Sequence, residues 1–85
     1  MADYKIEIKK SAQKEIFSLQ RNDLNNIVKK ISSLSKNPRP DGCKKLSADE
    51  KYRVRVGNFR ILYSIEDDIL VIYVVKVGHR KNVYK

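Results

Sequence analysis

Tyr4, Ile6 and Ile8 interleave with Lys5, Glu7 and Lys9 at the start of the chain, which is the period of a strand with one buried face. The period then changes. Ala12, Ile16 and Leu19 recur at helical spacing with Phe17 beside them, and Ser11 is the expected N-cap of that helix. Arg21-Asn22 interrupts the pattern, and Asp23 is the expected cap of a second helix. Leu24, Ile27, Val28, Ile31 and Leu34 follow at i, i+3, i+4, i+7 and i+10, an amphipathic stripe. Asn37-Pro38 ends it, because the residue before a proline disfavours the helical region. Two antiparallel helices packed on a sheet are the natural outcome.

The second half reads as strands. Arg39-Pro40-Asp41-Gly42 is a turn, residues 43–47 suit a brief strand, and residues 47–51 suit a polar loop. Tyr52, Val54 and Val56 alternate with Arg53 and Arg55. Gly57-Asn58, glycine first, predicts a two-residue hairpin with a type II′ turn, and residues 59–65 form the return strand. Glu66-Asp67-Asp68 makes the next turn. Residues 69–77 are almost wholly apolar and rich in β-branched side chains, as expected of an interior strand covered on both faces. The fold class is therefore α+β: a strand, an antiparallel helix pair, then a mainly antiparallel sheet of three to four strands with the helices on one face. Residues 1–85 make a single domain.

Composition narrows the chemistry. A chain of 85 residues with 41% hydrophobic content supports one modest core, burying roughly 60–65% of the unfolded surface. No run approaches the ~18 apolar residues of a membrane span. Residues 1–5 lack the apolar segment of a signal peptide. Cys43 is the single cysteine and His79 the single histidine, so neither an internal disulfide nor a Cys/His metal cluster is expected. A reducing, cytoplasmic setting and no cofactor follow as expectations. The formal net charge of +9, from 19 Lys+Arg against 10 Asp+Glu, draws polyanions, although a basic surface also serves solubility.

What gives the charge meaning is its convergence. The tight turn pairs Val56 with Phe59, Arg55 with Arg60 and Val54 with Ile61, so Arg55 and Arg60 stand opposite one another and Arg53 shares their face. Leu62, Tyr73 and Val75 are expected on that same face. Like charges facing across strands cost a few tenths to ~1 kcal/mol, so stability does not select this arrangement. Arginines on an open sheet face also block edge pairing, and Tyr84 also suits an anchor for the chain end. The segment Gly78-His79-Arg80-Lys81-Asn82-Val83-Tyr84-Lys85 adds cations without an acid. Arg53, Arg55, Arg60, Lys76, His79, Arg80 and Lys81 are the expected nucleic-acid contacts. Serine-nucleophile, phosphate-loop and dinucleotide signatures are absent, since Gly42, Gly57 and Gly78 are the only glycines. The one acidic cluster, Glu66-Asp67-Asp68, reads as a solvated turn. Arginines neutralise a scissile phosphodiester, and RNA supplies its own nucleophile in the 2′-hydroxyl.

Two segments, Lys51-Tyr52-Arg53-Val54-Arg55-Val56-Gly57-Asn58-Phe59-Arg60-Ile61-Leu62-Tyr63 and Val77-Gly78-His79-Arg80-Lys81-Asn82-Val83-Tyr84, make the chain resemble the RelE branch of the RelE/ParE superfamily of type II toxins. The resemblance spans essentially the whole chain and implies a RelE-like, microbial-RNase-like fold. It implies a ribosome-dependent, metal-free endoribonuclease that cuts mRNA in the A site of a 70S-type ribosome, against 16S rRNA, by 2′-hydroxyl attack. By position, Arg53 and Arg55 match the family's two basic hairpin residues, Arg60 its phosphate-binding arginine, Arg80 the group assisting the leaving oxygen, and Tyr84 the C-terminal tyrosine. Those five are the implied catalytic set. Arginines stand here where the best-studied pattern has lysines at 53 and 55, which keeps the charge and adds bidentate contact. His79 is a candidate acid or base in their place. A cognate antitoxin is implied as partner, in a hetero-oligomeric complex that binds its operator through the antitoxin. A ParE-type inhibitor of DNA gyrase and a non-catalytic basic nucleic-acid-binding module are the alternatives.

Overall fold

The structure is a computed structural model that describes residues 3–46 and 51–79. Its elements are β1 (Lys5–Ile8), α1 (Lys10–Phe17), α2 (Arg21–Leu34), β2 (Lys44–Leu46), β3 (Lys51–Val56), β4 (Phe59–Glu66) and β5 (Val71–His79). The strands form one five-stranded sheet in the order β1-β5-β4-β3-β2. Three pairings are antiparallel and one, β1 with β5, is parallel. The expected α+β class and helix pair are therefore present, with β1 joined to the four later strands rather than standing apart. No helix among the described residues is long and apolar enough to cross a membrane.

The helices cover one face of the sheet. Ala12 and Ile16 from α1, and Ile27, Ile31 and Leu34 from α2, close on Val54, Ile61, Tyr63, Ile72, Val74 and Val77. The stripe predicted on α2 is only partly used, because Val28 is 45% exposed, and Phe17 on α1 is 75% exposed. Both predicted caps shift. The N-cap of α1 is Lys9, whose own N–H is bonded to Val74 O at 2.9 Å, so sheet pairing sets the helix start and Ser11 falls inside the first turn. Gln20 precedes α2, leaving Asp23 in its first turn, where a carboxylate complements the helix dipole without capping.

The hairpin registers as its turn requires. Gly57 has φ +59° and Asn58 does not enter the positive region, as a type II′ turn demands. Val56↔Phe59, Arg55↔Arg60 and Val54↔Ile61 are the resulting partners. The following turn is longer than expected. Leu70 adopts φ +54° and β5 begins at Val71, so Ile69 lies in the turn, 64% exposed.

A register shift between Leu62 and Tyr63 makes Val75 the extra residue of a bulge, since Leu62 pairs with Lys76 but Tyr63 with Val74. Strict alternation along β5 would send Ile72, Val74, Lys76 and Gly78 to the core. The bulge instead buries Val77 and turns Lys76 and Gly78 to the opposite face. Of the residues expected beside the arginines, Leu62 and Tyr73 share their face, while Val75 occupies the bulge. Beyond Ile8, β5 has no strand on its outer side. There the Glu15 carboxylate of α1 accepts a hydrogen bond from the Val77 N–H at 3.0 Å and closes the edge.

A polar cluster ties the far end together. Tyr63 donates to Pro38 O at 2.7 Å and stacks on Tyr52 with ring centroids 5.9 Å apart, and burial pushes its hydroxyl pKa up. Arg39 lies over the Tyr52 ring and pairs with Asp67 at 2.9 Å, while the Tyr4 hydroxyl donates to Asp67 at 2.7 Å. The Arg39 guanidinium, then the Tyr4 hydroxyl, hold the Asp67 carboxyl below its ordinary 3.8. A depressed folded-state pKa adds stability above the unfolded value and loses it as the pH falls through the folded one. In acid titrations followed by thermal unfolding, the stability advantage of wild type over Asp67→Asn is expected to shrink as the pH drops below 3.8; an advantage independent of pH would contradict this account. Gly57→Ala is expected to cost about 1 kcal/mol through its positive φ alone, since a Cβ there meets nothing within 4 Å. Chemical denaturation measures it.

Candidate nucleic-acid interface and active site

The register assembles the site on the face away from the helices. Arg55 of β3 and Arg60 of β4 are direct cross-strand partners, and Arg53, two residues along β3, emerges on the same side. The three differ in exposure: Arg53 is 9% and Arg60 8% exposed, whereas Arg55 is open to solvent. Burial of two guanidinium groups fixes their positions, and a group that is always charged cannot relieve the local field by losing its proton. Gly78 is the partner of Arg60 on β5 and contributes no side chain beside it.

The other expected residues separate into three groups. Lys76 reaches this face by register, opposite Leu62, but its ammonium lies 3.4 Å from a Glu15 oxygen, which draws it toward the β5 edge. His79 pairs with Phe59, one residue past Gly78, so it projects to the opposite face from Arg60 and packs edge-on against the Phe59 ring at 5.8 Å. The expectation that His79 shares the face of the arginines is therefore corrected, and the cause is the bulge at Val75, which reverses the alternation along β5. Arg80, Lys81 and Tyr84 lie outside the described residues.

Two participants escaped the sequence reading. Glu15 is one, since nothing in the helical pattern marks an acid that will bond a strand sixty residues away; only the burial of its helix face hints at it. The other is Lys44, the partner of Arg53 across β2 and β3, where a three-residue strand gives too little pattern to fix a register. The arrangement can bind a phosphodiester and stabilise charge that grows on it, because fixed cations in a partly buried setting need no reorganisation as charge develops. It also places like charges opposite one another. Arg55→Thr is expected to raise stability by a few tenths to ~1 kcal/mol by removing the opposed charge. A shifted denaturant midpoint with an unchanged slope would register the gain, and a loss above that range would show that the pair is not repulsive.

Comparison with known proteins identifies the family and the fold. The sequence model described as the ParE toxin of the type II toxin-antitoxin system parDE matches residues 6–84. The toxin RelE1 of Methanocaldococcus jannaschii is 34% identical over 86 residues, spanning 96% of each chain. Among solved structures, RelE in the archaeal RelE–RelB complex of Pyrococcus horikoshii superposes with a TM-score of 0.84 at 25% identity, over 95% of this chain and 99% of that one. The isolated Escherichia coli RelE toxin gives 0.79 at 25% identity, over 95% and 90%. With a family match across nearly its whole length and the same sheet under the same helix pair, this chain belongs to the RelE/ParE superfamily of toxins from type II toxin-antitoxin systems.

Proposed function

We propose that this toxin is a ribosome-dependent mRNA endoribonuclease acting in the cytoplasm. The observation that carries the reading is the direct opposition of Arg55 and Arg60 on the sheet face away from the helices, with Arg53 beside them. That arrangement opposes stability and suits a polyanion. The RNA 2′-hydroxyl attacks the adjacent phosphorus, the P–O5′ bond breaks, and the products are a 2′,3′-cyclic phosphate and a free 5′-hydroxyl. Arg53, Arg55 and Arg60 hold the phosphate and neutralise the pentavalent transition state. Arg80 assists the departing O5′ and Tyr84 orients the nucleophile; both roles come from the family resemblance. His79 takes no part in proton transfer, since its ring faces Phe59 on the other side of the sheet. The mRNA and 16S rRNA in the ribosomal A site complete the substrate.

Relatives of this fold have been solved with RelB antitoxins, in Pyrococcus horikoshii and Escherichia coli among others. For this chain the same class of partner has a fitting surface. A groove of about 380 Å³ runs between β1, α1 and α2, lined by Ile6, Ile8, Ile16, Phe17, Leu24 and Val28 among others. Lys10, Lys14 and Arg21 lie within one helical turn of its lining positions, and all three are exposed. An acidic antitoxin segment that folds on binding matches both features, its apolar side filling the groove and its acids meeting the rim. The resulting complex is hetero-oligomeric and binds operator DNA through the antitoxin.

Primer extension on mRNA under translation, with and without ribosomes, tests the activity. Cleavage at codon positions only when ribosomes are present is the expected result, and Arg60→Ala is expected to slow it by about 10²–10³-fold with the fold intact. Gyrase inhibition in a supercoiling assay, with no cleavage, would instead mark a ParE-type toxin. For the groove, Phe17→Asp is expected to weaken antitoxin binding by about 30-fold in calorimetry while leaving mRNA cleavage unchanged. Undiminished binding would place the antitoxin elsewhere.

A further inference from the structure

The proposed site uses one cross-strand pair of cations, Arg55 opposite Arg60. The register repeats that arrangement one row closer to the β2 edge. Lys44 is the partner of Arg53, so its side chain leaves the sheet on the face that carries Arg53, Arg55 and Arg60. Each pair joins one buried and one exposed cation. Arg60, 8% exposed, faces the open Arg55; Arg53, 9% exposed, faces the open Lys44. In both cases a buried guanidinium stands beside an exposed cation.

Edge protection accounts for a lysine on β2, which is the last strand of the sheet. It accounts equally well for Lys45, the next residue and just as exposed. Lys45, however, pairs with Tyr52 and so lies on the opposite face, where it lines a small polar depression with Arg39 and Asp67. Edge protection gives no reason for one of the two lysines to face a buried arginine at the cost of repulsion.

We propose that Lys44 forms a second phosphate subsite with Arg53, which bridges it to the reacting phosphodiester, for the phosphodiester one nucleotide along the RNA strand. The proposal rests on the nucleic-acid reading of the arginine face. Lys44 is the diagonal neighbour of Arg55, and such neighbours lie roughly 7–8 Å apart, about one nucleotide of an extended single strand. The direction is set by what flanks the two pairs. Toward β5 the Lys44–Arg53 row continues into Leu62 and then Lys76, whose ammonium meets Glu15, and the Arg55–Arg60 row ends at Gly78. Toward β2 it ends in the open ammonium of Lys44. The RNA strand therefore crosses β4 and β3 toward the β2 edge. An ammonium there, with three rotatable donors, suits a phosphate whose orientation is not fixed by chemistry, while the arginine forks hold the reacting one.

The test is binding of a short single-stranded RNA oligonucleotide, made 2′-deoxy at the cleavable position, to the full chain over a series of salt concentrations. Lys44→Gln is compared with Lys45→Gln, and thermal unfolding confirms that both fold. Lys44→Gln is expected to lower affinity about fivefold at low salt and to reduce the slope of log affinity against log salt by about 0.7, one single-strand phosphate contact. Lys45→Gln is expected to stay within about twofold of wild type, and Lys44→Arg to restore binding. Equal losses in the two glutamine variants, or no loss in Lys44→Gln, overturn the subsite alone. A wild-type protein that binds no RNA at any salt overturns both the subsite and the reading beneath it.

Discussion

The two-residue turn at Gly57-Asn58 is the constraint on which the rest of the molecule depends. A strand has a side-chain period of two, so a slip of one residue between β3 and β4 would exchange the faces of every side chain that follows. Ile61 and Tyr63 would leave the core, and the Arg60 guanidinium would enter it. The type II′ geometry needs a positive φ at its first central residue, which glycine supplies without strain. One backbone angle thus selects which face is core and which carries charge, and the apolar face then enforces that choice through burial under the helices.

Stability and binding pull in opposite directions on the arginine face. The core behind it is apolar and closed, and the outer edge of β5 is satisfied by Glu15. The face in front carries opposed cations, Arg55 across from Arg60 and Lys44 across from Arg53. Such a surface is held in place by interactions elsewhere, above all the buried sheet and the Tyr63–Pro38 and Arg39–Asp67 contacts at the far end. Under the proposed reading, a bound polyanion would offset the like charges that Arg55 and Arg60 place opposite one another.

Much of this was legible in the sequence where one local rule acts alone. The register of β3 with β4 follows from a two-residue loop, so the placement of Arg53, Arg55 and Arg60 on one face could be read directly. The helices could be located but not bounded, because Lys9 and Gln20, not Ser11 and Asp23, take the cap positions, and a sheet hydrogen bond sets the start of α1. The bulge at Val75 was hidden by a run of apolar residues in which either face looks equally acceptable, and it decides that Lys76 leaves the core and His79 parts from the arginines. Lys44 was hidden for the opposite reason. A three-residue edge strand after a loop has no periodicity to read, and only the completed sheet reveals its partner.

The parallel pairing of β1 with β5 has a consequence for the order in which the protein comes into being. Lys5 pairs with Val71, so the first strand made waits for the last strand of the sheet. During synthesis the β3–β4 hairpin rests on local contacts and forms early, whereas pairing across so long a stretch of chain is slow and comes late. Until β5 inserts between β1 and β4, Ile27, Ile31 and Leu34 have only part of their lid, and β4 presents an open edge. The arrival of one strand turns a collection of local pieces into a single folded body, and the nascent chain is most exposed to misassembly just before that event.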